Sequence, residues 1–376
     1  MVKNVNMNFI PLMVPSIEEE DIHAVEEVLR SGMLVQDKKV AELEKSIKNI
    51  VSTTHAMAVS NGTASLHLAL LALYIKNGDE VIIPAFSYVA TANAVELVGA
   101  KPIFVDIDIS TFNIDVSKIE SHITSKTKAI MPVHEFGLAC DITQIKEIGE
   151  KKSLYVIEDA ACALGAMDNE QPVGSFGNFG SFSFHPRKSV TSGEGGMVTT
   201  NNDELAEKIQ ILRNHGIQPG QSKMEFVAAG FNYRLTEFQA ALVNSQLMRL
   251  QEIIYQKQQL AKIYLSELDS ALMQLPIIPS GKNHTWQTFH VVLNERYNRD
   301  DVIEKLKQKG IGSNYGAQCI PATKFYQDKY KLDCKLLFPN ALNAYKQGLA
   351  LPLYNKLNEE NIRYIANELN QILKLC

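Results

Sequence analysis

Lys188 is the first residue of this chain whose setting invites a chemical reading. It lies in Gly180-Ser-Phe-Ser-Phe-His-Pro-Arg-Lys-Ser-Val-Thr-Ser-Gly-Glu-Gly-Gly196. Ser181 to Phe184 alternates small and aromatic residues and reads as a strand. Pro186 ends it, and the glycine-rich run leads into a second strand, Gly196 to Thr200. A confined, apolar or cationic setting favours the neutral amine of a lysine, the form that attacks a carbonyl. Arg187 and His185 beside it offer such surroundings. The plain alternative is a solvated lysine in a surface turn.

Three other strand ends carry matching features. Leu154-Tyr-Val-Ile157 runs into Glu158-Asp159-Ala-Ala161. Burying two acids there costs several kcal/mol unless a cation or hydrogen bonds compensate, and a cation at the adjacent strand end is the compensation the sequence suggests. Asp159 either caps a helix or keeps a heterocyclic nitrogen protonated. Ser60-Asn-Gly-Thr-Ala-Ser65 puts small residues at a helix start, where free backbone N–H groups attract an anion and Thr63 and Ser65 can assist. Ordinary capping by Asn61 or Thr63 is the alternative. The GxxxxGK[ST] pattern is missing here, which excludes a Walker-type nucleotide loop. Past Pro84 comes Ala85-Phe-Ser-Tyr88, in which Phe86 or Tyr88 either walls a flat ligand or belongs to the core. Phosphate cradle, aromatic cover, buried aspartate and turn-held lysine, with Ser183 on the strand before it, together describe one ligand: pyridoxal 5'-phosphate.

The elements that must position these residues alternate regularly. Strands are expected at 55–60, 80–84, 102–106, 129–133, 154–158, 181–184 and 196–200. Helices are expected at 64–75, 91–98, 116–123, 142–151 and 202–215. Short, almost wholly apolar strands between helices imply an α/β fold whose mainly parallel seven-stranded sheet is covered on both faces. Ligands then collect at the carboxyl ends of the strands. Ser16-Ile-Glu-Glu19 has capping-box spacing before an amphipathic helix reaching Leu29, with Gly32 as its C-cap, and a second helix covers 39–50. A long helix from Thr236 to about Leu268 leads to a smaller C-terminal α+β domain, with a strand at 288–293 and helices at 299–309 and 359–373. The expected boundary gives a large domain of 1–250 and a small one of 251–376. Composition is that of a globular chain: 45% hydrophobic, 21% charged and a net charge of -5, which offers nucleic acid no bulk attraction. Five scattered cysteines without CxxC spacing argue against a disulfide framework or a metal site and for a reducing compartment. Without a signal peptide or a membrane-length apolar run, a cytoplasmic location is expected.

With these motifs in order, the chain resembles the DegT-type sugar-nucleotide aminotransferases, within the fold type I PLP-dependent transferases. The matching segments are Ser60–Ala64, Ile83–Asn93, Gly99–Asp106, Ile157–Ala161, Gly180–Gly196 and Gly230–Thr236. The resemblance implies that Lys188 is the Schiff-base lysine and general acid/base, and that Asp159 pairs with the pyridine nitrogen. It also implies that Gly62, Thr63 and Ser183 bind the phosphate, Tyr88 stacks on the ring, and Asn232 reaches the cofactor of a neighbouring subunit, so that a homodimer shares two sites. Where such enzymes carry glutamine on the phenolic oxygen, this chain has Cys162, a weak donor. Two half-reactions follow: L-glutamate converts the cofactor to pyridoxamine 5'-phosphate, and a nucleotide-linked keto-sugar takes the amino group. His134, Arg187, Tyr315 and Gln318 are the substrate-binding candidates, a structural histidine and a plain turn being the alternatives at 134 and 315–318. A PLP-dependent sugar dehydratase and a non-catalytic PLP-binding regulator are the competing functions; the intact Lys188 favours amino transfer.

Overall fold

The computed structural model describes residues 9–220 and 223–375. Two helices, α1 (Glu19–Ser31) and α2 (Lys38–Val51), precede the central sheet. Its strands are β1 (His55–Val59), β2 (Glu80–Pro84), β3 (Lys101–Val105), β4 (Thr127–Ile130), β5 (Tyr155–Asp159), β6 (Phe179–Ser183) and β7 (Gly196–Thr200). Their spatial order is β1-β7-β6-β5-β4-β2-β3. β7 runs antiparallel to both its neighbours, and the other pairings are parallel. The alternation of strand side chains sorts the apolar residues into two layers. Met57, Val59, Val81, Ile83 and Ile157 face one hydrophobic cluster, while Ala56, Ala58, Ile82, Ile130 and Val156 face those on the other side.

Helices α3 (Gly62–Ala72), α4 (Ala90–Leu97), α5 (Ile142–Lys152) and α6 (Asp203–Arg213) cover the sheet. α3 is buried nearly all round, as a helix without a polar face must be, and it packs on β6, β7, α4 and α6. Its position matters because its first turn forms one wall of the site.

Three local expectations are corrected. The N-cap of α1 is Glu18, whose N–H donates to Asp21 Oδ2 at 2.9 Å; Ser16 is occupied elsewhere, its hydroxyl accepting from Asn355. Residues 116–123 form two short 3-10 turns, Val116–Lys118 and Glu120–His122. There Asp115 holds the Ser117 N–H, and the Ser121 and His122 side chains both take the Lys118 carbonyl, so side chains compete with the helical ladder. The long helix expected from Thr236 is two, α7 (Glu237–Leu247) and α8 (Leu250–Glu267), with Arg249 at φ -109°, ψ 5° between them. At the break Gln246 binds both the N–H and the C=O of Thr191, and Arg249 pairs with buried Asp21 at 2.8 Å.

The C-terminal unit contains an antiparallel sheet of β8 (Met273–Gln274), β9 (Phe289–Leu293) and β10 (Gly348–Leu351), with α9 (Arg299–Gln308) and α10 (Glu359–Lys374). Its core gathers Tyr264, Trp286, Phe289 and Leu369. α8 serves both units: Leu250 and Ile254 pack under the large sheet, Leu260 and Tyr264 in the smaller core. Cys319, Tyr326 and Phe338 return from the C-terminal part of the chain to the large core. Among the described residues no helix is long and apolar enough to cross a membrane.

Candidate active site

A cavity of about 640 Å³ opens at the carboxyl ends of β1, β5 and β6. The loop after β6 delivers Lys188 to it. Buried Phe184 and Val190 anchor the loop on either side. The Lys188 N–H closes a turn on the His185 carbonyl at 2.8 Å, and Thr191 Oγ1 donates to the Phe184 carbonyl at 2.8 Å. With the Gln246 contacts to Thr191, these bonds fix the turn from inside the fold. Lys188 Nζ lies 3.0 Å from Cys162 Sγ and donates to it. Burial pushes the Cys162 thiol up, so it stays neutral and accepts this bond.

The start of α3 faces the same space. Asn61 caps the helix by accepting from the Ala64 N–H at 2.8 Å. The N–H groups of Gly62 and Thr63, earlier in that turn, have no acceptor among the described residues and are available to an anion. Gly62 is required by a close approach: a Cβ there would sit 2.9 Å from Ser183 Cβ. Ser183 and Thr63 both line the cavity. Ser65 does not share in it, because its hydroxyl is turned to the Met197 carbonyl at 2.9 Å.

The adjacent acids of β5 separate by strand alternation. Asp159 faces the cavity, its Oδ2 accepting from Thr91 Oγ1 at 2.8 Å and its Oδ1 from the Ala161 N–H at 3.2 Å. Burial raises its pKa; the Thr91 and Ala161 hydrogen bonds and the charge of Lys188 oppose that rise. Glu158 points the other way, into the N–H groups of Gly174, Phe176 and Gly177 at 2.7–2.8 Å, with His134 Nε2 at 3.0 Å. The expected cation at the neighbouring strand end is therefore not what compensates Glu158.

His134 is fully buried, with Nδ1 accepting from the Cys140 N–H and Nε2 on Glu158. It lies outside the cavity wall, a correction to its reading as a substrate contact. Tyr315 and Gln318 are also outside the lining, which Gly316 and Ala317 provide instead. Tyr315 packs edge-on against Tyr345, and Gln318 is held in a two-residue pairing with Ser87 and Phe86. Arg187 lines the cavity and forms no ion pair among the described residues. Tyr88 lines it too and is 66% exposed, so a ring face is open there, whereas Phe86 is core. Asn232 is exposed and lies outside this cavity.

Three polar residues bear on the site without having been singled out in the sequence. Thr91 holds Asp159. Glu135 lines the cavity, is buried, and has an Oε2 without a hydrogen-bond partner. Lys257 of α8 is buried beneath the lysine loop and donates to Ser189 Oγ at 3.2 Å. Burial lowers its pKa to about 8, against the opposing influence of Cys162. An acid directly after His134 was the visible signal for Glu135; nothing local marked Thr91 or Lys257.

Comparison with known proteins gives concordant results. Residues 15–370 match the profile of the DegT/DnrJ/EryC1/StrS aminotransferase family. The chain is 37% identical over 379 residues to the uncharacterized protein MJ1066 of Methanocaldococcus jannaschii, covering 97% of this chain and 98% of that one. Among solved structures it superposes on the putative sugar aminotransferase Spr1654 of Streptococcus pneumoniae in its PMP form with a TM-score of 0.93, at 29% identity over 98% of each chain. It also superposes on Helicobacter pylori PseC, an aminotransferase involved in the biosynthesis of pseudoaminic acid. There the TM-score is 0.92 at 27% identity, over 98% of this chain and 100% of the other.

Proposed function

The chain belongs to the DegT/DnrJ/EryC1/StrS aminotransferase family, a pyridoxal-phosphate-dependent family, and we propose that its acceptor is a nucleotide-linked keto-sugar and its amino donor L-glutamate. The sugar reading is supported by the structural neighbours, one named a putative sugar aminotransferase and one an aminotransferase involved in the biosynthesis of pseudoaminic acid. The observation that carries the reading of cofactor-dependent amino transfer is the convergence of Lys188, Asp159 and the open helix start at Gly62 on one cavity.

These residues fit the cofactor. The uncapped N–H groups of Gly62 and Thr63, with Ser183 opposite, make an anion cradle that a Cβ at residue 62 would fill. Asp159 is a buried acid held in place by Thr91, matched to a protonated ring nitrogen. When bound, pyridoxal phosphate supplies an aldehyde that exchanges for an amine and a ring that accepts an electron pair. Lys188 presents the primary amine for that aldehyde and can take and return a proton at its Nζ. Asp159 would hold the ring-nitrogen proton, Tyr88 would cover a ring face, and Arg187 would meet an anionic substrate group; all three line the cavity. We read the working unit as a homodimer in which Asn232 of one copy serves the other. The exposed Asn232, together with exposed apolar Met33, Leu34, Val35, Met224 and Phe226, supports that reading.

The test is direct. Purified protein mixed with pyridoxal phosphate should develop a visible absorbance band that borohydride fixes to the chain and that Lys188→Ala abolishes. Glutamate with a panel of nucleotide keto-sugars should then give an aminated product one mass unit heavier than its ketone, with 2-oxoglutarate as co-product. Absence of the band overturns the cofactor assignment; a band with no aminated product from any panel member overturns the acceptor.

A further inference from the structure

We propose that Glu135, as the neutral acid, is the hydrogen-bond donor to the phenolic oxygen of pyridoxal phosphate; the proposal rests on the cofactor reading above. Its first support is topological. Along the sheet the phosphate cradle lies at β1 and β6, Asp159 at the end of β5, and Glu135 beyond it, on the segment that continues β4. The cofactor's ring carries its phosphate arm on one side of the line from ring nitrogen to aldehyde carbon and its phenolic oxygen on the other. With the nitrogen at Asp159, the carbon at Lys188 and the phosphate toward β1 and β6, the phenolic edge faces the β4 side.

The second support is the state of the side chain. Glu135 is 4% exposed, its Oε2 has no partner, and its backbone is fixed by its N–H on Asn113 Oδ1 at 2.9 Å. A buried polar atom left without a partner inside a cavity is what a ligand group satisfies. The third is chemical. The groups around Glu135 are Asp159 from β5, Cys162 and Lys188 from the following loops, and Ser87 from the segment after β2. Burial, with Asp159 adding to it, raises the carboxyl to about 8, while Lys188, Ser87 and the Phe136 backbone oppose the rise. At neutral pH the group therefore carries a proton to give. A carboxylate beside a phenolate repels it; a carboxylic acid donates to it. Cys162, the other group on that side, is a weak donor and already accepts from Lys188.

The experiment compares wild type, Glu135→Gln and Glu135→Leu. For each, the pH midpoint of the bound cofactor's visible absorbance and the affinity of the apoprotein for the cofactor are measured. A donor on the phenolic oxygen draws off the negative charge that holds a proton on the neighbouring lysine-derived nitrogen. Losing the donor in Glu135→Leu should raise the midpoint by about one pH unit and weaken cofactor binding on the order of tenfold or more, while Glu135→Gln stays near wild type in both. A lowered midpoint in Glu135→Leu means the residue acts as a carboxylate and overturns the proposal, as does an unchanged one. Independently of any variant, wild type should bind 3-deoxypyridoxal 5'-phosphate on the order of tenfold more weakly than the parent compound; equal affinity overturns the proposal even where Glu135→Leu does not fold. If wild type forms no band with pyridoxal phosphate, the cofactor reading itself fails and takes this one with it; a normal wild-type band with the wrong shift sinks this one alone.

Discussion

Adding a single methyl group at Gly62 tests the phosphate cradle most sharply. In Gly62→Ala the new Cβ starts 2.9 Å from Ser183 Cβ, with Ser183 Oγ at 3.4 Å and the Phe182 carbonyl at 3.5 Å. Carbon atoms rest at roughly 3.5–4.0 Å, so the helix start must retreat by roughly 0.6–1.1 Å from β6. Ser183 cannot rotate away, because the atom in the way is its Cβ. Overpacking of this kind costs about 1–3 kcal/mol. Expressed wholly in cofactor binding, that is a roughly 5- to 150-fold rise in Kd, and the shifted N–H groups lose their aim at the phosphate as well. The assay is titration of the apoprotein with pyridoxal phosphate, read by absorbance, alongside pyridoxal lacking its phosphate. Gly62→Ala should lose affinity for the first and keep its weak affinity for the second. In a Ser183→Gly background the obstructing Cβ is gone, so the same substitution should cost less than about twofold. Binding within twofold of wild type in the single variant, or an equal penalty in both backgrounds, would refute the reasoning.

Two further substitutions probe the groups behind the site. Thr91 acts through Asp159, so Thr91→Val should weaken cofactor binding roughly 10- to 100-fold, and Thr91→Ser, which keeps the hydroxyl, should restore most of it; no rescue by serine would leave Thr91 as packing only. Lys257 has a folded pKa of about 8, below the ordinary lysine value of 10.5. The unfolded chain therefore binds more protons between those values, and stability from this residue is lost as pH falls through about 8. Lys257→Met should accordingly raise the melting temperature at pH 7 relative to wild type, with the gain shrinking toward pH 10; a pH-independent difference would show that the amine is not buried as charge.

Much of the fold was legible because apolar strands and helices alternate with short turns, and the chain just past β1, at Asn61 to Ala64, meets the cavity together with Asp159 and Ser183. The failures have physical causes. Apolar periodicity runs through residues 247–250 unbroken, while what breaks the helix is Gln246 and Arg249 binding residues 55 and 228 positions away. Lys257 looks like any helix-surface lysine until the lysine loop, 68 residues distant in sequence, covers it. After β4 the sequence offers His134 as a substrate contact, whereas Glu135, one residue on, lines the cavity. β4 ends at Ile130, and Pro132 makes counting by twos through the segment insecure without the Val133–Asp159 bridge to set it.

That phase governs the whole site. Val133 pairs with Asp159, and Asp159 with Ser181, so alternate residues of three adjacent chain segments point the same way. Glu135, Asp159 and Ser183 fall on the cavity side. His134, Glu158, Phe182 and Phe184 fall beneath, the first two paired with each other and the phenylalanines in the core. Each pair of neighbours thus divides its labour: one residue meets the ligand and the next one fixes the strand that carries it. A one-residue slip of any of these segments would exchange the two sets, putting His134 and Glu158 into the cavity and two site acids into the core. The buried Glu158, held by His134 and three backbone N–H groups, makes such a slip costly, because its carboxylate would leave every one of those donors unpaired. Glu158 thereby fixes the register in which Asp159 and Glu135 face the cavity, although it never touches a ligand itself.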